Sequence, residues 1–243
     1  MNSESNTILI TGGASGIGFS LAEHFLKLGN TVVICGRRKD KLEEAQAIHP
    51  HLHIKECNLA IESERIGLFD WTAKNFPKLN VLINNAGIQR RIDLKNSEEW
   101  SETRQEIAIN LEAPIHLTTL FIPHLLNQQN PMILNVTSGL AFSPLANVPV
   151  YCATKAALRS YTLSLRHQLA STPIDVIEII PPAVNTDLGG VGLHTFGAPL
   201  SEFSESVIKQ FLEGKKEITF GFSEKAANAS REELNDTFKK MNA

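Results

Sequence analysis

The sequence predicts an α/β fold, a doubly wound parallel sheet with helices on both faces. Short apolar, β-branched runs alternate with longer amphipathic stretches, which is the pattern of parallel strands joined by helical crossovers. Polar residues collect just after those runs, at the carboxyl ends where an open parallel sheet receives its ligands. The 243 residues, 42% hydrophobic and 20% charged, suffice for one large core.

The strand candidates are 7–11 (TILIT), 31–35 (TVVIC), 53–57 (HIKEC), 81–85 (VLINN), 132–137 (MILNVT) and 175–180 (DVIEII). Helical patterns lie between them at 16–28, 39–48, 62–76, 97–128 and 150–170. Pro114 and Pro123 fall inside the fourth stretch, and proline predicts a kink or a split there. Residues 188–243 differ in character: a glycine-rich apolar segment, LGGVGLHTFGAPL, is followed by a helix, a brief β-prone EITFG and a charged terminal helix. No repeat, low-complexity run or Ser/Gly linker divides the chain. The expectation is a single Rossmann-type domain over 1–243, with 188–243 forming a substrate lid and C-terminal helices.

Charge and cysteine usage narrow the function classes. A formal charge of −3 gives no basic footprint for nucleic acid, and Arg37-Arg38 and Arg90-Arg91 are local pairs. The N-terminus lacks a charged region followed by a long apolar one, so it is not read as a secretory signal. No apolar run approaches the roughly 20 residues that cross a bilayer. Cys35, Cys57 and Cys152 read as reduced, mostly buried thiols of a cytoplasmic protein, without zinc spacing. His49, His51 and His53 alternate, but Pro50 breaks the strand and no carboxylate or cysteine completes a site, so no metal is expected.

TGGASGIG, residues 11–18, follows the first strand directly. Glycine there permits unusual backbone angles and lets a pyrophosphate approach the main chain. The helix opening at Gly16 offers free N–H groups and a positive dipole end to phosphates. After the second strand, Gly36 supplies no carboxylate to repel a 2′-phosphate, and Arg37 can meet one with a planar fork of donors. NADP(H) is therefore preferred, with NAD(H) as the lesser alternative; solvated loop charges are the bland reading of Arg37 and Arg38. Asn58, after the third strand, can accept from an adenine amino group or serve as a turn residue.

Further along stand NNAG (84–87), IN (109–110), VTS (136–138) and YCATK (151–155). With the glycine loop, these motifs in this order resemble the short-chain dehydrogenase/reductase family, over residues 7–187. Loop type and length resemble its compact branch, and stretches such as NNAGIQ and PVYCATKAAL are similar to the DltE-like bacterial oxidoreductases. The resemblance implies an NAD(P)-dependent oxidoreductase acting on a small carbonyl or alcohol. It assigns Tyr151 as catalytic acid/base, Lys155 as its helper, Ser138 as the holder of the substrate oxygen and Asn110 as the fourth member. It places Gly12, Ser15, Gly16, Ile17, Gly18, Arg37, Asn58, Leu59, Asn85, Ala86, Gly87, Tyr151, Lys155, Val184 and Thr186 at the cofactor. The chemistry is coherent: a phenol with a pKa near 10 needs a neighbouring ammonium to lower it for proton transfer near neutrality. Tyr161 falls instead on an apolar helical stripe with Leu158, Leu165 and Leu169, a packing position.

Three departures stand out. The family commonly has Asp where Asn58 stands, and Pro-Gly where this chain has Pro181-Pro182. The ending lacks a long seventh strand with a DGG tail, which favours a homodimer through the helices near 100–128 and 150–170 over a tetramer. Phe142, Leu145, Leu188, Val191, Leu193 and Phe196 border the expected cleft and suggest an apolar pocket, while Gly189, Gly190 and Gly192 suggest a mobile lid. Arg90 and Arg91 are read as solvated loop charges rather than ligands for an acidic group. A dinucleotide-binding sensor without turnover is the alternative of another class.

Overall fold

A strand buried on both faces must carry apolar residues on both, and β1 (Thr7–Thr11) does. Ile8 and Ile10 enter one core, and Leu9 enters the other. In the computed structural model, which describes residues 5–96 and 99–243, seven strands form one sheet. They are β1, β2 (Thr31–Gly36), β3 (His53–Glu56), β4 (Val81–Asn84), β5 (Met132–Val136), β6 (Asp175–Ile180) and β7 (Glu217–Thr219). Their order is β3-β2-β1-β4-β5-β6-β7 and every pairing is parallel. The expected doubly wound α/β architecture is thus present. The chain builds outward from β1 to β3, then returns to β4 on the other side of β1. That reversal opens a crevice beyond the carboxyl ends of β1 and β4.

On one face lie α1 (Gly16–Lys27), α2 (Lys39–Ile48) and α7 (Leu200–Leu212), burying Leu21, Phe25, Leu42, Val207 and Phe211. Phe25 and Phe211 meet edge to face at 5.5 Å. On the other lie α3 (Glu62–Asn75), α5 (Ala113–Leu125) and α6 (Pro149–Gln168), with Leu68, Leu117, Phe121 and Leu165 in the core. A polar seam crosses this second face. Asn84 Nδ2 donates to Asn135 Oδ1 at 2.9 Å and to Thr118 Oγ1 at 3.2 Å, and Asn135 Nδ2 donates to Thr162 Oγ1 at 2.9 Å. Two strands and two helices are thereby held in one register, since such buried groups are costly unless paired.

The helical stretch expected over 97–128 is split, and its first two residues lie outside the described residues, as does any structure for 1–4. α4 (Trp100–Ile107) runs into a wide π turn at Ala108–Glu112, and α5 begins with Pro114 in its first turn. Ala108, Glu112 and Ala113 all keep right-handed helical angles, so the stretch changes its winding before Pro114, whose ring nitrogen has no N–H to give. Pro123 lies inside α5 without ending it. The β-prone EITFG supplies β7, a three-residue strand on β6. α8 (Phe222–Asn228) and α9 (Arg231–Met241) follow, the latter opened by a reciprocal Ser230–Glu233 cap. Among the described residues no helix is long and apolar enough to cross a membrane.

Candidate active site

The glycine loop is built against the loop that follows β4. Thr11 Oγ1 accepts from the N–H groups of Asn85 and Ala86, each at 3.0 Å. Asn85 Nδ2 donates back to Thr11 O at 2.9 Å and Gly12 O at 3.2 Å. Space here requires glycine. Gly12 has φ +64°, and a Cβ on it would lie 2.8 Å from Ala86 Cα. A Cβ on Gly18 would lie 2.4 Å from Asn85 Nδ2. Gly16 has φ +54° and faces Thr186, so the loop after β6 reaches the mouth of α1. Ser15 makes no side-chain cap to α1, whose first turn holds no acidic residue; its amides are left for an anion. This cradle fits a dinucleotide pyrophosphate.

After β2, Arg37 is exposed and Arg38 Nη2 lies 3.5 Å from Ser15 Oγ. From sequence only Arg37 is offered a ligand, with solvated loop charge as the bland reading of both arginines; the structure brings Arg38 to the glycine loop. Asn58 Oδ1 accepts from Ala60 N–H at 3.2 Å, and Asn58 N–H donates to Glu64 Oε2 at 2.5 Å. The turn role is therefore present, and one lone pair of the amide oxygen stays available for a second donor. Leu59 is buried beside Cys57 in the second core.

The residues expected to carry the reaction gather around α6. Pro149 starts this helix, and its buried stripe is Tyr151, Cys152, Thr154, Lys155 and Leu158, an unusual set for a core face. Tyr151 and Lys155, four residues apart, rise from the same side, with Nζ 5.6 Å from the phenol ring centre. Lys155 Nζ donates to Val136 O at 2.7 Å, two residues before Ser138. Ser138 lies beside Tyr151, near enough to favour the ionised phenol, and its Oγ accepts from Leu140 N–H at 3.1 Å. The three predicted side chains thus meet at the end of β5.

Asn110 sits on the π turn, fully buried. Its Oδ1 accepts from Ile88 N–H at 2.9 Å, and its Nδ2 donates to Ile88 O at 2.8 Å and to Thr154 Oγ1 at 3.3 Å. Thr154 in turn donates to Tyr151 O at 2.8 Å. A Cβ on Gly87 would stand 3.5 Å from Asn110 Oδ1 and 3.7 Å from Lys155 Nζ. The π turn, a feature frequent at functional sites, therefore ties the loop after β4 to α6. Nothing in the spacing of Thr154 along the sequence announces this link.

Burial sets the titration of the pair. Desolvation pushes the Tyr151 phenol well above its ordinary range, with the neighbouring Ser138 side chain the main opposing effect. Desolvation pulls Lys155 down to about 8. The sequence reading expected the ammonium to lower the phenol. At the phenol, burial outweighs any such lowering, and Nζ is directed at Val136 O.

Ser138 follows Thr137, which donates to Glu178 Oε1 at 2.7 Å. Glu178 is fully buried on β6 and paired with Arg159 of α6, whose guanidinium lies 4.4 Å over the Phe142 ring. Phe142 is engaged beneath that cation, whereas Leu145 and Leu188 pack with Tyr151 and Cys152. Val191 and Phe196 are exposed, at 86% and 78%. The Pro181-Pro182 loop keeps its anchor through Pro181 O, which accepts from Gly139 N–H at 2.8 Å. Val184 is buried and bridges to Ala198. Arg90, expected as a solvated loop charge, is instead paired with Glu102 and Gln105, and His49 pairs with Glu23 at 2.8 Å.

Comparison with known proteins gives a consistent picture. The family description "short chain dehydrogenase" matches residues 6–192. The uncharacterized oxidoreductase DltE of Bacillus subtilis (strain 168) is 47% identical over 248 residues, covering 100% of this chain and 98% of that protein. A short chain dehydrogenase from Burkholderia cenocepacia J2315, solved in complex with NADP, superposes with a TM-score of 0.84 at 22% identity, covering 100% of both chains. A 3-ketoacyl-(acyl-carrier-protein) reductase from Brucella melitensis, complexed with NADH, superposes at 0.80 with 26% identity, covering 91% of this chain and 100% of that one.

Proposed function

The chain belongs to the short-chain dehydrogenase family of NAD(P)-dependent oxidoreductases, and from that premise we propose an NADP(H)-dependent enzyme that interconverts a carbonyl and a secondary alcohol, with Tyr151 as acid/base. The observation that carries the reading is the convergence of Ser138, Tyr151 and Lys155 in one buried cluster beside the glycine loop. When bound, the nicotinamide supplies the hydride. Gly12, Ser15, Gly16, Ile17 and Gly18 would hold the pyrophosphate, Arg37 and Arg38 a 2′-phosphate, and Asn58 and Leu59 the adenine. Asn85, Ala86, Gly87, Val184 and Thr186 would flank the remainder, with Lys155 at the ribose.

Tyr151 rests protonated, because burial raises its pKa, and so is poised to donate. In the reducing direction its proton goes to the substrate oxygen. Ser138 donates a hydrogen bond to that same oxygen as negative charge develops. The phenolate left behind is stabilised by the Lys155 ammonium, whose charge is felt strongly in a dry site. Asn110 holds the Ile88 peptide and Thr154, keeping α6 and the loop after β4 in register. The absence of a carboxylate at Gly36 and the two arginines at the rim support NADP(H) over NAD(H). NADPH consumption across a panel of aldehydes and ketones, repeated with NADH, tests the reading. Tight NADPH binding with no turnover on any member would instead favour a sensor.

We further propose a homodimer through the outer faces of α4, α5 and α6. Ala153, Ala156, Ser160, Leu163 and Ser164 are exposed along α6, a small and partly apolar surface on which another helix can lie closely. Light scattering reads the mass directly: a dimer is expected, and a clean monomer or tetramer overturns this.

A further inference from the structure

α9 buries none of its residues, yet a specific latch joins it to the strap of residues 143–147 before α6. Asn242, at the end of α9, accepts from Ala146 N–H on Oδ1 at 2.6 Å and donates from Nδ2 to Pro144 O at 3.1 Å. One side-chain amide therefore bonds the peptide groups on either side of Leu145, as a neighbouring strand would. A further bond from Nδ2 to Phe238 O at 2.8 Å fixes the amide to its own helix, and Ser143 Oγ adds a contact to Leu234 O at 3.4 Å.

Leu145 itself faces inward. It packs against the cluster of Val148, Tyr151 and Cys152, as does Leu188 at the root of the glycine-rich segment. On that inner side its backbone is held by a thiol, with Cys152 Sγ 3.3 Å from Leu145 N and 3.7 Å from Leu145 O. Sulfur is a weak partner in both roles. The amide of Asn242, with two good backbone bonds, is the stronger constraint on this stretch.

We propose that Asn242 is a positioning residue: through the strap it holds Leu145 against Tyr151 and so fixes an apolar wall for the carbon skeleton beside the reacting carbonyl. The proposal rests on the reading of Tyr151 as proton donor. It makes the C-terminal helix part of the substrate site although α9 lends no side chain to the core.

Two readouts test it, on the full chain carrying Asn242→Ala. The first needs no turnover: the alkylation rates of Cys35, Cys57 and Cys152 by iodoacetamide, resolved by mass spectrometry. All three thiols are buried, so labelling reports opening. Loss of the latch should raise the Cys152 rate about threefold to tenfold and leave Cys35 and Cys57 unchanged. Asn242→Asp, which keeps the acceptor for Ala146 N–H and loses the donor to Pro144 O, should fall between. The second readout uses the carbonyl compound that the wild type reduces fastest. KM should rise by a similar factor, with kcat within about twofold and NADPH Kd unchanged. An unchanged Cys152 rate, equal acceleration of all three thiols, or an unchanged KM overturns the proposal. Failure of the underlying reading looks different: Tyr151→Phe would retain turnover.

Discussion

Replacing Lys155 with methionine keeps the length of a buried side chain and removes its charge. Lys155 is 3% exposed, and burial lowers its pKa from 10.5 to about 8, equivalent to about 3 kcal/mol against the ammonium in the folded state. The variant loses the bond to Val136 O, at a cost of about 2 kcal/mol for a charge-assisted donor and a stranded carbonyl. At pH 7 Lys155→Met should therefore be more stable than the wild type by about 1 kcal/mol, while carbonyl reduction collapses. The pH dependence is the sharper test. Below pH 8 both folded and unfolded Lys155 are protonated and the penalty is fully present. Between about 8 and 10.5 the folded state has released a proton that the unfolded state retains, so wild-type stability rises with pH relative to the variant. The difference should change by about 2 kcal/mol between pH 7.5 and 9.5 in urea titrations. Cys35, Cys57, Cys152 and Tyr151, all with raised pKa values, erode stability over alkaline pH in both proteins and cancel in the comparison. A difference that stays constant across the range would refute the burial argument.

Other perturbations follow from the same geometry. Arg37→Ala with Arg38→Ala should raise the KM for NADPH about tenfold to a hundredfold while leaving that for NADH nearly unchanged; parallel initial-rate titrations decide. Gly12→Ala adds a Cβ at φ +64° that would meet Ala86 Cα at 2.8 Å, so urea titration should show a loss of about 2 kcal/mol or more, and calorimetry weaker NADPH binding. Arg159→Leu leaves Glu178, 0% exposed, without its closest cation. A loss of about 3 kcal/mol at pH 8 is expected. It should shrink toward pH 5, because the folded carboxyl, already raised by desolvation, then takes up a proton that the unfolded one takes up only at lower pH.

The strands were legible because parallel pairing demands apolar residues on both faces, and runs such as TVVIC and DVIEII have no other economical use. β7 was harder, since three residues carry little pattern and only pairing with β6 gives them a role. The break near Pro114 was visible, but the π turn that precedes it was not: a wide turn leaves helical periodicity nearly intact while rotating Asn110 inward. Ser138, Tyr151 and Lys155 could be singled out through the resemblance of the motifs that hold them, VTS and YCATK, to those of the short-chain dehydrogenase/reductase family. The direction of Nζ could not, nor could the burial that outweighs its effect on the phenol. Arg38 on Ser15, Thr154 on Asn110 and Asn242 on the 143–147 strap depend on contacts between distant segments, up to 98 residues apart, for which no local signal exists.

The most direct test of the central claim is Tyr151→Phe, measured twice in the same preparation: NADPH affinity by fluorescence titration, and the rate of carbonyl reduction at saturating NADPH. The substitution removes one hydroxyl and retains the ring that packs with Val148 and Leu145. If Tyr151 is the proton donor, affinity stays within about twofold and the rate falls about 100- to 10,000-fold. A variant that still reduces the carbonyl within tenfold of the wild-type rate would contradict the account.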